Sequence, residues 1–140
     1  MVYLGLDLGS KTIGVAISDK TATIASSVEV IRFNNYDELF NRLDQIVYTR
    51  SVDAFVLGNP LNMDGTMSDR CKITSEFKEM LEERYKTKPV IMQDERLSTV
   101  EAQRLLLSND ESRNKRKKVV DKIAACIILQ GYLDKRSYEK

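Results

Sequence analysis

The first eighteen residues, MVYLGLDLGSKTIGVAIS, constrain the fold more than any other stretch of the chain. They contain two segments of alternating residues, 2–8 and 12–18, separated by a short Gly-Ser-Lys turn. Alternation with a period of two places successive side chains on opposite faces of a strand. A turn this short joins antiparallel neighbours. The sequence therefore predicts a β-hairpin at the start of a sheet.

One carboxylate lies inside the first of these segments. Asp7 shares a face with Tyr3 and Gly5, whereas the other face carries leucines. An unpaired buried carboxylate costs several kcal/mol, which is a large part of the stability of a domain. Two explanations stay open at this point. Either Asp7 accepts hydrogen bonds within the fold, or it binds a cation.

The remaining pattern predicts one α/β domain over residues 1–140, with a three-strand antiparallel meander followed by alternating helices and strands. The third strand of the meander is predicted at 27–33. The continuous apolar run at 53–58 is typical of a central strand that is covered on both faces, so helices are expected on both sides of the sheet. Other predicted elements are helices at 36–50, 69–85, about 98–107 and 118–134, and a strand at 89–93.

The chain contains no histidine and two cysteines, Cys71 and Cys126, which do not form a CxxC pair. This composition excludes Ser-His-Asp and Cys-His centres, and zinc sites that need histidine or four cysteines. Metal chemistry would use oxygen ligands, which suit Mg²⁺ or Mn²⁺. Separated cysteines are typical of reduced thiols in a cytoplasmic protein. No apolar run reaches the ~20 residues of a membrane span, so no membrane association is expected.

Further carboxylates stand in apolar surroundings near the ends of predicted elements. Asp94 and Glu95 follow a predicted strand, at the edge where open α/β sheets place their sites. Asp121 begins an apolar stripe of the last helix; by itself, an acid in a first helical turn is explained by the helix dipole. Together with Asp7, and in the absence of histidine, these acids favour a shared cation. The spacing does not show which of Asp94 and Glu95 would bind the cation.

Small residues near Asp7 fit the same interpretation. Gly5, together with Gly14 and Ala16 of the next strand, leaves room for an ion or a phosphate. The turn that contains Lys11 offers backbone N–H groups to a phosphate. Ordinary strand packing is an alternative explanation for the same small residues.

A basic segment without acids, SRNKRKK at 112–118, precedes the predicted last helix. Its simplest explanation is a solvated, mobile loop. Its position beside the helix of Asp121 also suits a polyanion, because phosphates held there would lie near the acidic groups. Carboxylate-held metals beside phosphate-binding cations are what a nuclease needs. The cations are Arg113, Lys115, Arg116, Lys117 and Lys118.

Four segments resemble one known family, the YqgF/RuvX family, and the resemblance covers nearly the whole chain. Members have a ribonuclease H-like fold and are regarded as candidate pre-16S rRNA nucleases or Holliday junction resolvases. The resemblance implies a five-stranded mixed sheet and a divalent-metal site formed by Asp7, Glu95 and Asp121, and so selects Glu95 over Asp94. In chain order the segments are LGLDLGSKTIGVAISD, GNPLNMDGT, DERLSTVEA and VVDKIAACIILQGYL.

These features together predict a metal-dependent endonuclease for structured nucleic acid, which processes the 5′ end of 16S rRNA precursor during ribosome biogenesis in the cytoplasm. Asp7, Glu95 and Asp121 are the expected catalytic residues and ligands of Mg²⁺ or Mn²⁺. Lys11, Arg96 and the basic segment are expected to bind substrate.

Three alternatives stay open. The first is resolution of Holliday junctions in branched DNA, which requires a two-fold dimer; the chain is expected to be a monomer or a homodimer. The second is a nucleotide-binding module, because the first hairpin also resembles that of actin-like and hexokinase-like ATPases. The third is an RNA-binding assembly factor without catalytic activity.

Overall fold

The computed structural model describes residues 1–60, 64, 66–94 and 113–138, with side chains of the last helix described from 123 to 137. The predicted helix at 98–107 lies outside these residues. Five strands and three helices form within the described ranges. They are β1 (Tyr3–Leu8), β2 (Thr12–Ser18), β3 (Ala25–Arg32), α1 (Tyr36–Thr49), β4 (Ala54–Asn59), α2 (Asp69–Arg84), β5 (Val90–Asp94) and α3 (Arg113–Tyr138).

The five strands form one mixed sheet in the order β3-β2-β1-β4-β5. β2 pairs antiparallel with β1 and β3, which confirms the predicted meander, while β4 and β5 continue the sheet parallel to β1. Because β1, β4 and β5 are parallel, their last residues lie at one edge, which we call the carboxyl edge. These residues are Leu8, Asn59 and Asp94.

Helices cover both faces of the sheet, as predicted. On one face, here the α1/α2 face, Leu4, Leu6 and Val15 belong to a core shared with α1 and α2. On the other, the α3 face, the smaller side chains of Ala16 and Ala54 belong to a core shared with α3. Alternation along each strand therefore divides the described buried side chains into two cores, of which the larger lies on the α1/α2 face.

The start of α1 has a side-chain cap, which the spacing of Asn35 and Glu38 in the sequence predicts. The Asn35 side chain accepts a hydrogen bond from the backbone N–H of Glu38 at 2.9 Å. The Glu38 carboxylate accepts one from the backbone N–H of Asn34 at 3.0 Å, one residue before the expected partner. This pair of bonds begins α1 immediately after β3, at the carboxyl edge.

The buried face of α2 differs from the one that sequence spacing predicts. Spacing places Ile73, Phe77 and Leu81 inward, but Ile73 is 51% exposed and only the other two are buried. Cys71 and Thr74 complete the buried face instead. Neighbouring helical residues are about 100° apart, so a rotation of the helix that buries Thr74 turns Ile73 to the rim.

The last helix begins earlier than predicted. The backbone is helical from Arg113, so the prediction of a mobile loop through residue 118 is wrong. Lysine and arginine are good helix formers, and their intrinsic preference extends the helix through the basic segment. Asp121 is consequently the ninth residue of α3. The effect of the helix dipole is confined to the first turn, so it does not explain an acid at this position. Neither α3 nor any other helix in the described ranges is long and apolar enough to cross a bilayer.

Candidate active site at the carboxyl edge

Asp7 lies half-buried near the end of β1, on the α3 face. Its antiparallel partner in β2 is Gly14. On the other side Leu6 pairs with Leu57 of β4, so the next position of that strand is the buried Gly58. Glycine has no side chain, and neither adjoining strand therefore covers the carboxylate. The sheet itself leaves space beside Asp7 for a ligand.

Helix α3 approaches β1 very closely beside Asp7. Gly5 is two residues before Asp7 on the same face of the strand. A Cβ atom at Gly5 would lie 2.7 Å from Cβ of Leu129 and 3.0 Å from the carbonyl oxygen of Ala125. Atoms cannot approach so closely without displacement, so the absence of a side chain at Gly5 sets the distance between helix and strand.

Contacts along β1 show that α3 runs antiparallel to it. Tyr3 packs edge-to-face against Tyr132, with ring centroids 5.4 Å apart. Gly5, about 6.6 Å further along the strand, meets Ala125, which lies further towards the start of the helix. Two further residues along β1 lead to Asp7, and the distance that they span corresponds to roughly one turn of α3. Since Gly5 contacts both Ala125 and Leu129, this register predicts that Asp7 faces the preceding turn, residues 121–125.

Residue 121 belongs to that turn. The backbone is helical there, and position 121 is four residues before Ala125 on the same helix face. The side chain of Asp121 lies outside those that the structure describes. The backbone register supports a shared site, and the contact between Asp7 and Asp121 stays a prediction.

Strand β5 places Asp94 away from Asp7. A Cβ at Gly131 would lie 3.4 Å from Nε2 of Gln93, so Gln93 faces α3. Met92 packs on the α1/α2 core. Alternation then puts Asp94, the exposed last residue of β5, on the α1/α2 face, opposite to Asp7. Asp94 is therefore not expected to bind the same ion as Asp7.

Of the other predicted site residues, Lys11 alone has a side chain among those that the structure describes. Glu95 and Arg96 lie outside the described residues. Lys11 is exposed in the turn between β1 and β2, at the carboxyl edge. Among described side chains no three acidic or thiol groups converge. The predicted substrate-binding residues with a helical backbone but without described side chains are Arg113, Lys115, Arg116, Lys117 and Lys118.

The carboxyl edge also carries two cations that sequence reasoning missed. Arg32 is the exposed last residue of β3. Arg70, in the first turn of α2, donates a hydrogen bond from Nη2 to the carbonyl oxygen of Leu8. Neither belongs to a basic run in the sequence, so no local pattern marks it. The strand order brings Arg32 to the edge that contains Lys11, and the start of α2 brings Arg70 there.

Comparison with known proteins gives consistent relatives. A family model described as "RuvX: Holliday junction resolvase" matches residues 1–135. A protein of Bacillus licheniformis is 50% identical over 136 residues, which cover 96% of this chain and 97% of the relative. One of Bacillus subtilis (strain 168) is 46% identical over 136 residues, with 96% and 98% covered. Both are named as candidate pre-16S rRNA nucleases.

Solved structures share the fold at low sequence identity. Thermus thermophilus RuvC, in complex with a Holliday junction substrate, has a TM-score of 0.55 and 14% identity, covering 98% of this chain and 96% of RuvC. The fowlpox virus Holliday junction resolvase has a TM-score of 0.53 and 18% identity, with 96% and 99% covered. These likenesses confirm the ribonuclease H-like fold. The family model and the Bacillus relatives, which extend along nearly the whole chain, show that this chain belongs to the RuvX (YqgF) family of nucleases.

Proposed function

We propose that this protein is a divalent-metal-dependent endonuclease for structured nucleic acid, and that residues 1–140 act as one ribonuclease H-like nuclease domain. The observation that carries the proposal is the close packing of α3 on β1 at Gly5. The register of this contact supports a site in which Asp7 and Asp121 face each other. Glu95, two positions after the α3-facing Gln93, is proposed as the third carboxylate.

The available donors fit a hard divalent cation. All three proposed ligands, Asp7, Glu95 and Asp121, are carboxylates, and the chain has no histidine. The thiol of Cys71 contacts polar atoms on the α1/α2 face, and that of Cys126 donates to the carbonyl oxygen of Ala25 at 3.3 Å. Oxygen-only donors suit Mg²⁺ or Mn²⁺. The glycines on both sides of Asp7 leave room for such an ion with its water.

Mg²⁺ or Mn²⁺ bound at this site would supply Lewis-acid activation of the scissile phosphodiester and of water. The three carboxylates would supply the negative charge that balances the divalent cation. Lys11, Arg96 and the cations of the basic segment orient the phosphate backbone. Without an imidazole in the chain, the proton released in hydrolysis passes to a carboxylate, to a phosphate oxygen or to solvent.

The substrate we favour is the 5′ region of 16S rRNA precursor, processed in the cytoplasm, because the similar Bacillus proteins are named for that precursor. A second candidate is the Holliday junction, which the family model's description and the shared fold with RuvC favour. Resolution of a symmetric junction needs two cuts, and hence a homodimer with two sites. Cleavage of precursor rRNA has no such requirement, and a monomer suffices.

A cleavage panel tests both candidates. Precursor 16S rRNA and four-way junction DNA are incubated with Mg²⁺, with Mn²⁺ or with chelator. Asp7→Asn removes one charge at nearly constant shape and is expected to reduce cleavage by at least about 100-fold while the fold is retained. Asp94→Asn is the matched control: it removes the same charge at the same edge but on the opposite face, and it should stay active.

Several results would contradict the proposal. Full activity of Asp7→Asn, or cleavage in the presence of chelator, would exclude the metal site. Binding of RNA without any cleavage would favour the assembly factor. A protein that remains monomeric on junction DNA would count against resolution of Holliday junctions.

A further inference from the structure

Arg70 reaches the end of the strand that contains Asp7. Its Nη2 donates to the carbonyl oxygen of Leu8, the residue after Asp7, across 62 residues of sequence. Standard backbone and hydrogen-bond dimensions put Nη2 within about 10 Å of the Cα atom of Asp7. Phosphates follow one another at ~3.4 Å of axial rise along a strand, so this distance spans at most about three nucleotides.

Among the residues that the structure describes, no carboxylate neutralises the charge of Arg70. Arg42 and Arg84 each form an ion pair with a carboxylate. Arg70 is exposed, and no carboxylate with a described side chain pairs with it. One of its nitrogens binds a neutral carbonyl, and within the described part of the chain its other N–H donors have no partner. A neutral amide would satisfy the Leu8 carbonyl equally well, so this contact does not require a cation.

We propose that Arg70 binds a phosphate of the nucleic-acid backbone close to the scissile bond. The Leu8 carbonyl holds the guanidinium in position before substrate arrives, which reduces the conformational freedom lost on binding. A guanidinium presents paired donors that match phosphate oxygens. Lys11 and Arg32 are exposed at the same edge, and they extend the row of positive charges along it, away from Asp7. The inference rests on the proposed function for the location of the scissile bond.

Two substitutions separate the charge of Arg70 from its hydrogen bond. Arg70→Gln keeps an amide donor for the Leu8 carbonyl but removes the charge, whereas Arg70→Lys keeps the charge. Arg50→Gln is the matched control, because Arg50 is an exposed cation that follows α1 at the opposite edge of the sheet. All variants are made in the Asp7→Asn background, so that binding of a labelled precursor rRNA fragment is measured by fluorescence anisotropy without cleavage.

Arg70→Gln is expected to weaken binding about tenfold at low salt, since hydrogen bonds to charged groups contribute strongly. The slope of log affinity against log salt should fall by about 0.7–0.9, which is the value of one phosphate contact. The loss of affinity caused by Arg70→Gln should therefore become about threefold smaller between 50 and 200 mM salt. Arg70→Lys should keep the slope of the parent protein, and Arg50→Gln should keep both slope and affinity.

Thermal unfolding of each variant reports any purely structural effect. A lower Tm of Arg70→Gln with unchanged affinity and slope would show that Arg70 only ties α2 to β1, and would overturn the inference. An equal loss in Arg50→Gln would also overturn it, because net charge would then explain the effect. Absence of cleavage in the parent enzyme would refute the proposed function, while the anisotropy result for Arg70 would stand independently.

Discussion

Replacement of Gly5 by alanine is expected to destabilise the protein and to slow cleavage. The new Cβ would lie 2.7 Å from Cβ of Leu129, whereas carbon atoms pack best at about 3.5–4.0 Å, so α3 must move by about 1 Å. Overpacking of this kind costs about 1–3 kcal/mol. The reduced entropy of the unfolded alanine chain offsets about 0.4–1 kcal/mol of that cost. The net loss is about 1–2 kcal/mol, equivalent to about 3–7 °C in Tm for a chain of 140 residues.

The same displacement should affect the proposed active site. Asp7 follows Gly5 by two residues, and Asp121 lies one turn before the displaced contact in α3. A misplacement of about 1 Å between reacting groups can reduce rates by about 100-fold, so we expect at least a tenfold slower cleavage of precursor rRNA, measured well below Tm.

Gly131→Ala is the matched control for this prediction. A Cβ at Gly131 would lie 3.4 Å from the flexible end of Gln93, which is ordinary contact. Since alanine is favoured over glycine within a helix, this variant should gain about 0.5–1 kcal/mol. An unchanged Tm for Gly5→Ala would refute the close approach of α3 to β1. A lowered Tm with full activity would refute the role of α3 in shaping the site.

Two further predictions concern stability. Asn35→Ala should cost about 1 kcal/mol, because the N–H of Glu38 loses its cap, whereas Asn34→Ala should be neutral; equal unfolding midpoints for the two variants in urea would contradict this. A hydrogen bond from Arg84 holds the pKa of Asp44 below its usual 3.8, so the pair stabilises the fold above that pH and the effect is lost as the pH falls further. Asp44→Asn should therefore cost at most about 0.5 kcal/mol at neutral pH, since both side chains are more than 40% exposed, and the difference should shrink as the pH falls below 3.8. A difference that grows on acidification would exclude this origin.

Features that depend on a few neighbouring residues could be read from the sequence. The alternation around Asp7, the apolar run of β4 and the Asn35 cap each act within one element, and the structure has all of them. The absence of histidine restricts any metal site to oxygen ligands without reference to the fold. The mixed order of the sheet and the choice of Glu95 came from family resemblance, because periodicity carries no information on which strands pair.

Tertiary structure decided how these local elements meet. The orientation of Ile73 depended on how α2 rotates against the sheet, and the face of Asp94 depended on the pairing of β5. Arg70 reaches Leu8 because α2 starts at the carboxyl edge. Helix α3 lies close to β1 because Gly5 has no side chain there. The sequence by itself determined which residues could serve a nuclease. Packing across long sequence separations, which no local pattern encodes, determined which of them share a face and an edge.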